Sequence, residues 1–135
     1  MADELMLEIV TPETMAFSDT IEEVTIPGVE GMFGVLIGHA PLLSAIQCGE
    51  LDHLQNNKKT YYAVGDGYAE VTGERVTVLV ETCERADTID VERVQKEKEE
   101  AESKLAQLNK DDTEYEKVSA ELNRAEVRLR VAEKA

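Results

Sequence analysis

Two histidines, two cysteines and one glycine-studded loop are where this sequence of 135 residues could do chemistry. A histidine can act as general base or metal ligand, but it needs partners at suitable spacing. His39 and His53 have no cysteine or carboxylate at metal-ligand spacing. His39 lies in Gly38-His39-Ala40-Pro41, where a loop side chain that hydrogen-bonds backbone is the simpler expectation. Cys48 and Cys83 lack CxxC spacing and are too few for a disulfide framework, so they read as free, buried thiols. Gly28, Gly31 and Gly34 recur every third residue, yet no strand-to-helix frame turns them into a dinucleotide fingerprint. They permit tight turns and close backbone approach, and Met32 and Phe33 among them suggest an exposed contact loop. No GxxxxGK[ST], GxSxG, HExxH or EF-hand pattern occurs. Acid pairs such as Glu22-Glu23 and Glu99-Glu100 belong to solvated faces. The expectation is a binding or coupling module with no catalytic residue, no metal site and no required cofactor.

Charge narrows the class of partner. Acidic side chains number 29 against 14 basic ones, a formal net charge of −15. Such a chain is repelled by phosphate backbones and anionic leaflets, which argues against nucleic acid or a membrane surface as direct partner. An apolar content of 42% is enough for a core. No apolar run approaches the ~20 residues of a membrane span, and the opening MADELMLEIV is acidic where a secretory leader would be basic. A soluble protein facing the cytosol is expected.

The chain changes character near residue 89. All eight glycines and all three prolines lie before residue 74, and from Ile89 onward the sequence is dense in Ala, Glu, Lys, Arg and Leu. Residues 1–88 hold 16 acids and 4 bases, and residues 89–135 hold 13 acids and 10 bases. A β-rich part is therefore expected first, over residues 1–86, and a helical part over 87–135. In the first part Leu5 to Val10, Ile21 to Ile26, Ala45-Ile46, Leu51 to Leu54, Thr60 to Val64, Tyr68 to Thr72 and Arg75 to Thr82 are β-prone. Pro27-Gly28 should end the second of these, because proline cannot donate to a ladder. Gln55-Asn56-Asn57-Lys58 and Gly73-Glu74 read as hairpin tips, the latter with glycine supplying a positive φ. Short strands without helices between them point to an antiparallel β-sandwich or flattened barrel.

Two apolar stripes follow. Val91, Val94, Lys98, Ala101, Leu105 and Leu108 repeat at 3-4-3-4-3 spacing, as do Tyr115, Val118, Leu122, Ala125, Leu129 and Ala132. Asn109-Lys110-Asp111-Asp112 has turn composition, and Asp111 with Glu114 has the spacing of a capping box. The pattern predicts an antiparallel α-helical hairpin, which makes the whole an α+β protein in two parts. Its seam is thin. Three of twelve seam positions are Ala and one is Lys, and an Ala buries far less than the ~1.5–3 kcal/mol of a full Leu or Val. Ordering costs ~1–2 kcal/mol of backbone entropy per residue, so the hairpin must lean on its own sandwich, a ligand or a partner. A permanently docked hairpin and a switching one are both open on this pattern.

Pro27-Gly-Val-Glu-Gly31-Met-Phe-Gly34-Val-Leu-Ile-Gly-His39-Ala40-Pro41-Leu42-Leu43 resembles the G-x-x-G-x-x-G-x₄-H-A-P-L-L signature of the ε subunits of bacterial F-type ATP synthases. Gly65-Asp66-Gly67-Tyr68-Ala69-Glu70-Val71 is similar to that family's G-G-x-x-E-V turn, Ile89-Asp90-Val91-Glu92-Arg93 to its I/L-D-x-x-R motif, and Leu129-Arg130-Val131-Ala132-Glu133 to its ending. The likeness covers the chain from end to end.

The resemblance implies a non-catalytic central-stalk subunit, peripheral on the cytoplasmic face of a bacterial plasma membrane. Its implied partners are the γ subunit, the c-ring and, through the hairpin, the α/β head. Proton-driven rotation would be coupled to ATP synthesis, and an extended hairpin would inhibit hydrolysis. Glu30, Met32, His39 and Leu42 are the implied γ and c-ring contacts, with Met32 standing where an acid commonly faces the ring. Asp90, Arg93, Arg124 and Arg128 match a regulatory ATP site, but Val94 replaces its Ala and Glu100 replaces a base, so weak MgATP binding or none is expected. Alternatively, Asp90 caps the first helix and Arg124 and Arg128 pair with neighbouring acids such as Glu121. Two rival functions stand beside the stalk subunit: a free-standing ATP-responsive sensor, and a chaperone-like binding protein.

Overall fold

A computed structural model describes residues 4–135, ten strands followed by two helices. The strands are β1 (Leu5–Val10), β2 (Met15–Ile21), β3 (Glu23–Gly28), β4 (Gly31–Val35), β5 (Leu42–Ile46), β6 (Gly49–Gln55), β7 (Lys58–Val64), β8 (Gly67–Val71), β9 (Arg75–Val80) and β10 (Cys83–Arg85). A single 3-10 turn, Ala86–Thr88, leads into α1 (Val91–Gln107) and α2 (Tyr115–Ala132).

Pairing runs β10-β7-β6-β3-β5-β8-β9-β1-β2, with β4 attached to β3. Only Gly28 and Ile46 pair where β3 meets β5, and there the path bends into two five-strand layers. Leu7, Ile9, Val76 and Val78 from one layer and Val24, Ile26 and Leu51 from the other share one fully buried core. The expected sandwich followed by a helical hairpin is what the chain forms.

The structure departs from the expected ladder in three places. One pair, β1 with β9, is parallel, because the first strand is inserted beside a strand nearly seventy residues away and not beside a hairpin neighbour. Pro27-Gly28 does not end its strand. Pro27 pairs with Met32 across the β3–β4 hairpin, and its carbonyl accepts from the Gln47 amide at 3.0 Å, so the missing N–H costs no ladder bond. The break falls earlier, at Glu22, and separates β2 from β3. Gly73 is not among the positive-φ residues; the Thr72 hydroxyl bridges the amide (3.1 Å) and carbonyl (3.2 Å) of Arg75 and closes that turn instead. At the β6–β7 tip Asn56 (φ 53°) and Asn57 (φ 63°) make the left-handed two-residue turn that matches strand twist.

In the hairpin Val94, Ala101, Val118 and Ala125 are buried along the seam, while Val91 stays 51% exposed. The α1 cap is Asp90, whose carboxylate accepts from the Arg93 amide at 3.2 Å. No capping box forms at α2. Asp112, and not Asp111, takes up a free amide, that of Asn109 at 2.8 Å, and the helix starts without a side-chain cap.

Candidate functional site

The register of five strands puts an apolar row across one outer face of the sandwich. Ala45 pairs with Tyr68, Tyr68 with Leu79, Leu79 with Val10, and Val10 with Met15. Cross-strand partners share a face, so these five lie opposite the core, the register shift between Ile9 and Val10 bringing Met15 beside Val10. Tyr68, Leu79 and Met15 are 60%, 52% and 51% exposed. On this face a groove of about 500 Å³ is lined by Val10, Pro12, Ala45, Tyr68 and Leu79 together with Asp66 and Glu81. The next row, Leu43, Glu70, Thr77 and Glu8, is mostly polar. An exposed apolar row with acidic side chains beside it has the composition of a protein-docking surface. Sequence reading had not singled this row out; its signal lies in the apolar residues at outward positions, Tyr68 and Leu79, in otherwise alternating strands.

Glu30 sits in the two-residue turn between β3 and β4, and Met32 follows on β4 with 56% exposure. The turn leans on β5, the Val29 amide donating to the Ala45 carbonyl at 3.0 Å. His39 and Leu42 lie at the other end of β5. Their loop is held by the Gly38 amide on the Gly73 carbonyl (2.8 Å), and His39 Nδ1 contacts the Ala40 carbonyl at 2.6 Å. Three strand residues, about 10 Å at ~3.3 Å each, separate Leu42 from Ala45. The four residues therefore form two clusters at the two ends of β5, flanked by exposed Val29, Leu36, Ile37 and Leu43.

The opposite layer carries the hairpin. Val127 and Val131 of α2 pack on Ala63, Ala86 and Ile89, with Cys48 and Tyr61 beside them. Thus α2 has two apolar faces, one to α1 and one to the sandwich, and the second, spaced by four residues, was not in the sequence reading. Two cations fasten it. Lys134 reaches Glu50 at 2.7 Å and lies 5.2 Å from the centre of the Tyr61 ring, which raises its pKa. Arg128 Nε lies 2.6 Å from Glu84 Oε1 and its Nη1 2.9 Å from Glu97 Oε2.

Of the four residues matched to a nucleotide site, Arg93 and Arg128 meet on Glu97, the former at 3.5 Å. Asp90 is engaged as the α1 cap, and Arg124 lines the clefts on either side of α2. Carboxylates of Glu84 and Glu97 already face the guanidinium of Arg128, and Glu100 lines the same interhelical cleft.

Cys48 and Cys83 are free and half-buried, and burial pushes Cys83 up to about 12, which leaves an unreactive thiol. Among the described residues no three His, Cys, Asp or Glu side chains gather as metal ligands. His53 is fully buried in the core, its Nε2 2.9 Å from the Tyr62 hydroxyl and its ring centroid 4.3 Å from that of Phe17, the planes tilted by 36°. Among the described residues no helix is long and apolar enough to cross a membrane.

Comparison with known proteins gives a consistent set of relatives. Residues 4–86 match the family model described as ATP synthase, Delta/Epsilon chain, beta-sandwich domain, and residues 87–133 match the corresponding long alpha-helix domain. The chain is 44% identical to the ATP synthase epsilon chain of Geotalea uraniireducens, covering all of this chain and 98% of that one. It is 42% identical to the epsilon chain of Geobacter sulfurreducens at the same coverages. The fold is also similar to a chain in the mitochondrial ATP synthase of Euglena gracilis (TM-score 0.72, 24% identity, 97% of this chain and 78% of that one). A chain in the central stalk and c-ring structure of the Tetrahymena thermophila enzyme gives a TM-score of 0.59 at 15% identity, over 97% of this chain and 96% of that one.

Proposed function

This chain belongs to the ATP synthase delta/epsilon chain family, and we propose that it works as a rotor subunit passing torque between a c-ring and the γ subunit. It has no active site of its own; the complex around it does the chemistry. The observation that carries this reading is the apolar row Ala45–Tyr68–Leu79–Val10–Met15, which stays open while the hairpin occupies the other layer. The two faces are independent, so γ can be held constantly while the helices dock or leave. The clusters at Glu30–Met32 and His39–Leu42 would then meet the polar loops of the ring, with the acidic excess of residues 1–88 steering basic partners. Such a subunit would sit peripherally on the cytoplasmic side of the plasma membrane through these contacts alone. Released from its seat, the hairpin would reach the α/β head and restrain hydrolysis.

The deciding experiment is co-purification with γ. Replacing Tyr68 and Leu79 together by Asp should lower γ affinity by a hundredfold or more, as loss of ~3 kcal/mol of central apolar contacts requires. Both side chains are more than half exposed, so the fold should survive. Undiminished binding would remove the reading. A nucleotide-sensor role is the weaker alternative, since Glu84 and Glu97 compete with a triphosphate for Arg128. Saturable heat on titration with MgATP would revive it.

A further inference from the structure

The sheet face that carries the apolar row has acids on both sides of it. Along β8 the outward side is shared by Tyr68 and Glu70, and along β9 by Thr77 and Leu79. Past the other end of this ladder the Glu81 amide donates to the Asp66 carbonyl at 3.0 Å, so these two acids stand opposite one another where the register continues. Both line the groove with Tyr68 and Leu79. Glu70 thus flanks the row on one side and Asp66 with Glu81 on the other, each about 7 Å away along its strand. All three are exposed, and none has an ion pair among the described residues. Of the four bases in residues 1–88 only Arg75 belongs to this layer, and Glu8 engages it. Like charges set opposite one another weaken a ladder, so Asp66 and Glu81 cost the free chain stability. Asp66 is also held in place, its Oδ1 accepting from the Cys48 amide at 2.9 Å.

We propose that the surface of γ held on this face is an apolar ridge with a basic side chain on each flank, one meeting Glu70 and the other the Asp66–Glu81 pair. This rests on the reading that γ docks on the row, and it specifies the chemistry that the docked surface carries. An arginine or lysine suits such a place, because its methylene stem lies on Tyr68 or Leu79 while its charge reaches the carboxylate beyond. Arginine fits the Asp66–Glu81 end better, since one planar guanidinium can serve two carboxylates and lie against the Tyr68 ring. Flanking charges of this kind fix the register of docking and speed association more than they add affinity. They also reject a partner whose apolar ridge is bordered by acids. Arg124 of α2 borders the neighbouring cleft, which Glu81 also lines, but it pairs with neither acid.

The test is binding of the full chain to γ, read as affinity, association rate and the dependence of both on salt. Glu70→Gln and Glu81→Gln should each slow association about threefold, and the double variant should bind about tenfold more weakly with a flatter salt dependence. Glu81→Lys should cost more than Glu81→Gln. Glu74→Gln removes the same charge from the exposed β8–β9 turn, outside the groove, and should leave binding unchanged. In the free chain Glu81→Gln should raise the melting temperature, because it relieves the opposed acids, so weaker binding there is not loss of fold. Unchanged binding by the Glu70/Glu81 double variant would overturn the proposal. An equal loss in Glu74→Gln would also overturn it, since net charge alone would then be at work. So would faster amide exchange over 115–132 in Glu81→Gln, which would assign that acid to Arg124 of the hairpin. If Tyr68→Asp with Leu79→Asp abolishes binding while the Glu70/Glu81 variant retains it, the docking face stands and its basic flanks fall. If neither pair of changes weakens binding, the reading of the face falls with them.

Discussion

Arg128 of α2 reaches across to Glu84 on β10, 44 residues earlier, with Nε and Oε1 2.6 Å apart. The same guanidinium holds Glu97 of α1 at 2.9 Å, so one side chain ties both helices to the last strand of the sandwich. The apolar part of that seat is small: two valines of α2 on two alanines and Ile89. Docking thus combines this apolar seat, with Cys48 and Tyr61 packed beside it, with the polar ties of Arg128 and Lys134.

Arg128→Ala should loosen the hairpin without melting the sandwich. Arg128 is about four-fifths buried, and removing it leaves Glu84 without its partner, a change of about 1–2 kcal/mol. Amide exchange through α1 and α2 should accelerate five- to thirtyfold, while β1–β9 stay protected. Raising salt in the unaltered protein should produce part of the same effect. Equal acceleration in both parts would mean that the two unfold as one.

Val131→Ala tests the apolar half of the seat. Val131 is fully buried against the sandwich, and two lost methyl-sized groups at ~0.8 kcal/mol each predict a weakening of about 1.5–2 kcal/mol. The change should appear in hairpin exchange and not in the unfolding midpoint of the sandwich. Val91→Ala, on a 51% exposed side chain of α1, should be close to neutral.

His53 sets an acid limit on the sandwich. Burial lowers its pKa below the ordinary 6.5, against the smaller opposing pull of Asp19. The unfolded chain then binds the proton more readily than the folded one, so this contribution is full above pH 6.5 and is lost as pH falls below it. Urea midpoints should drop between pH 7 and pH 5, and His53→Gln should flatten that slope. Asp52, raised by burial, acts in the opposite direction at lower pH, nearer the carboxylate range.

Gly67→Ala should be among the most damaging single changes. A Cβ there would lie 1.9 Å from the Leu79 carbonyl oxygen and 2.8 Å from Val80 Cα, both backbone of the paired strand. Neither can yield without opening the β8–β9 ladder, so several kcal/mol should be lost, read as a lower melting temperature. Gly73→Ala, with nothing within 4 Å and no positive φ, should be tolerated.

Local chemistry made much of this protein readable from its residues alone. The end of the glycines and prolines announced a helical tail, Asn56-Asn57 announced a hairpin tip, and the 3-4 spacing named the buried seam residues Val94, Ala101, Val118 and Ala125. Each of these signals acts over a few residues, where propensity and periodicity operate directly. What the tertiary structure decided is everything that joins distant segments. The parallel match of β1 with β9 created the apolar row across β5, β8, β9, β1 and β2, and no stretch of sequence contains that row. The burial of His53 between layers, the second apolar face of α2 and the meeting of Asp66 and Glu81 at one groove arise likewise from packing. Side-chain type is written in the chain, but which side chains become neighbours is settled by the free energy of closing long loops around one core.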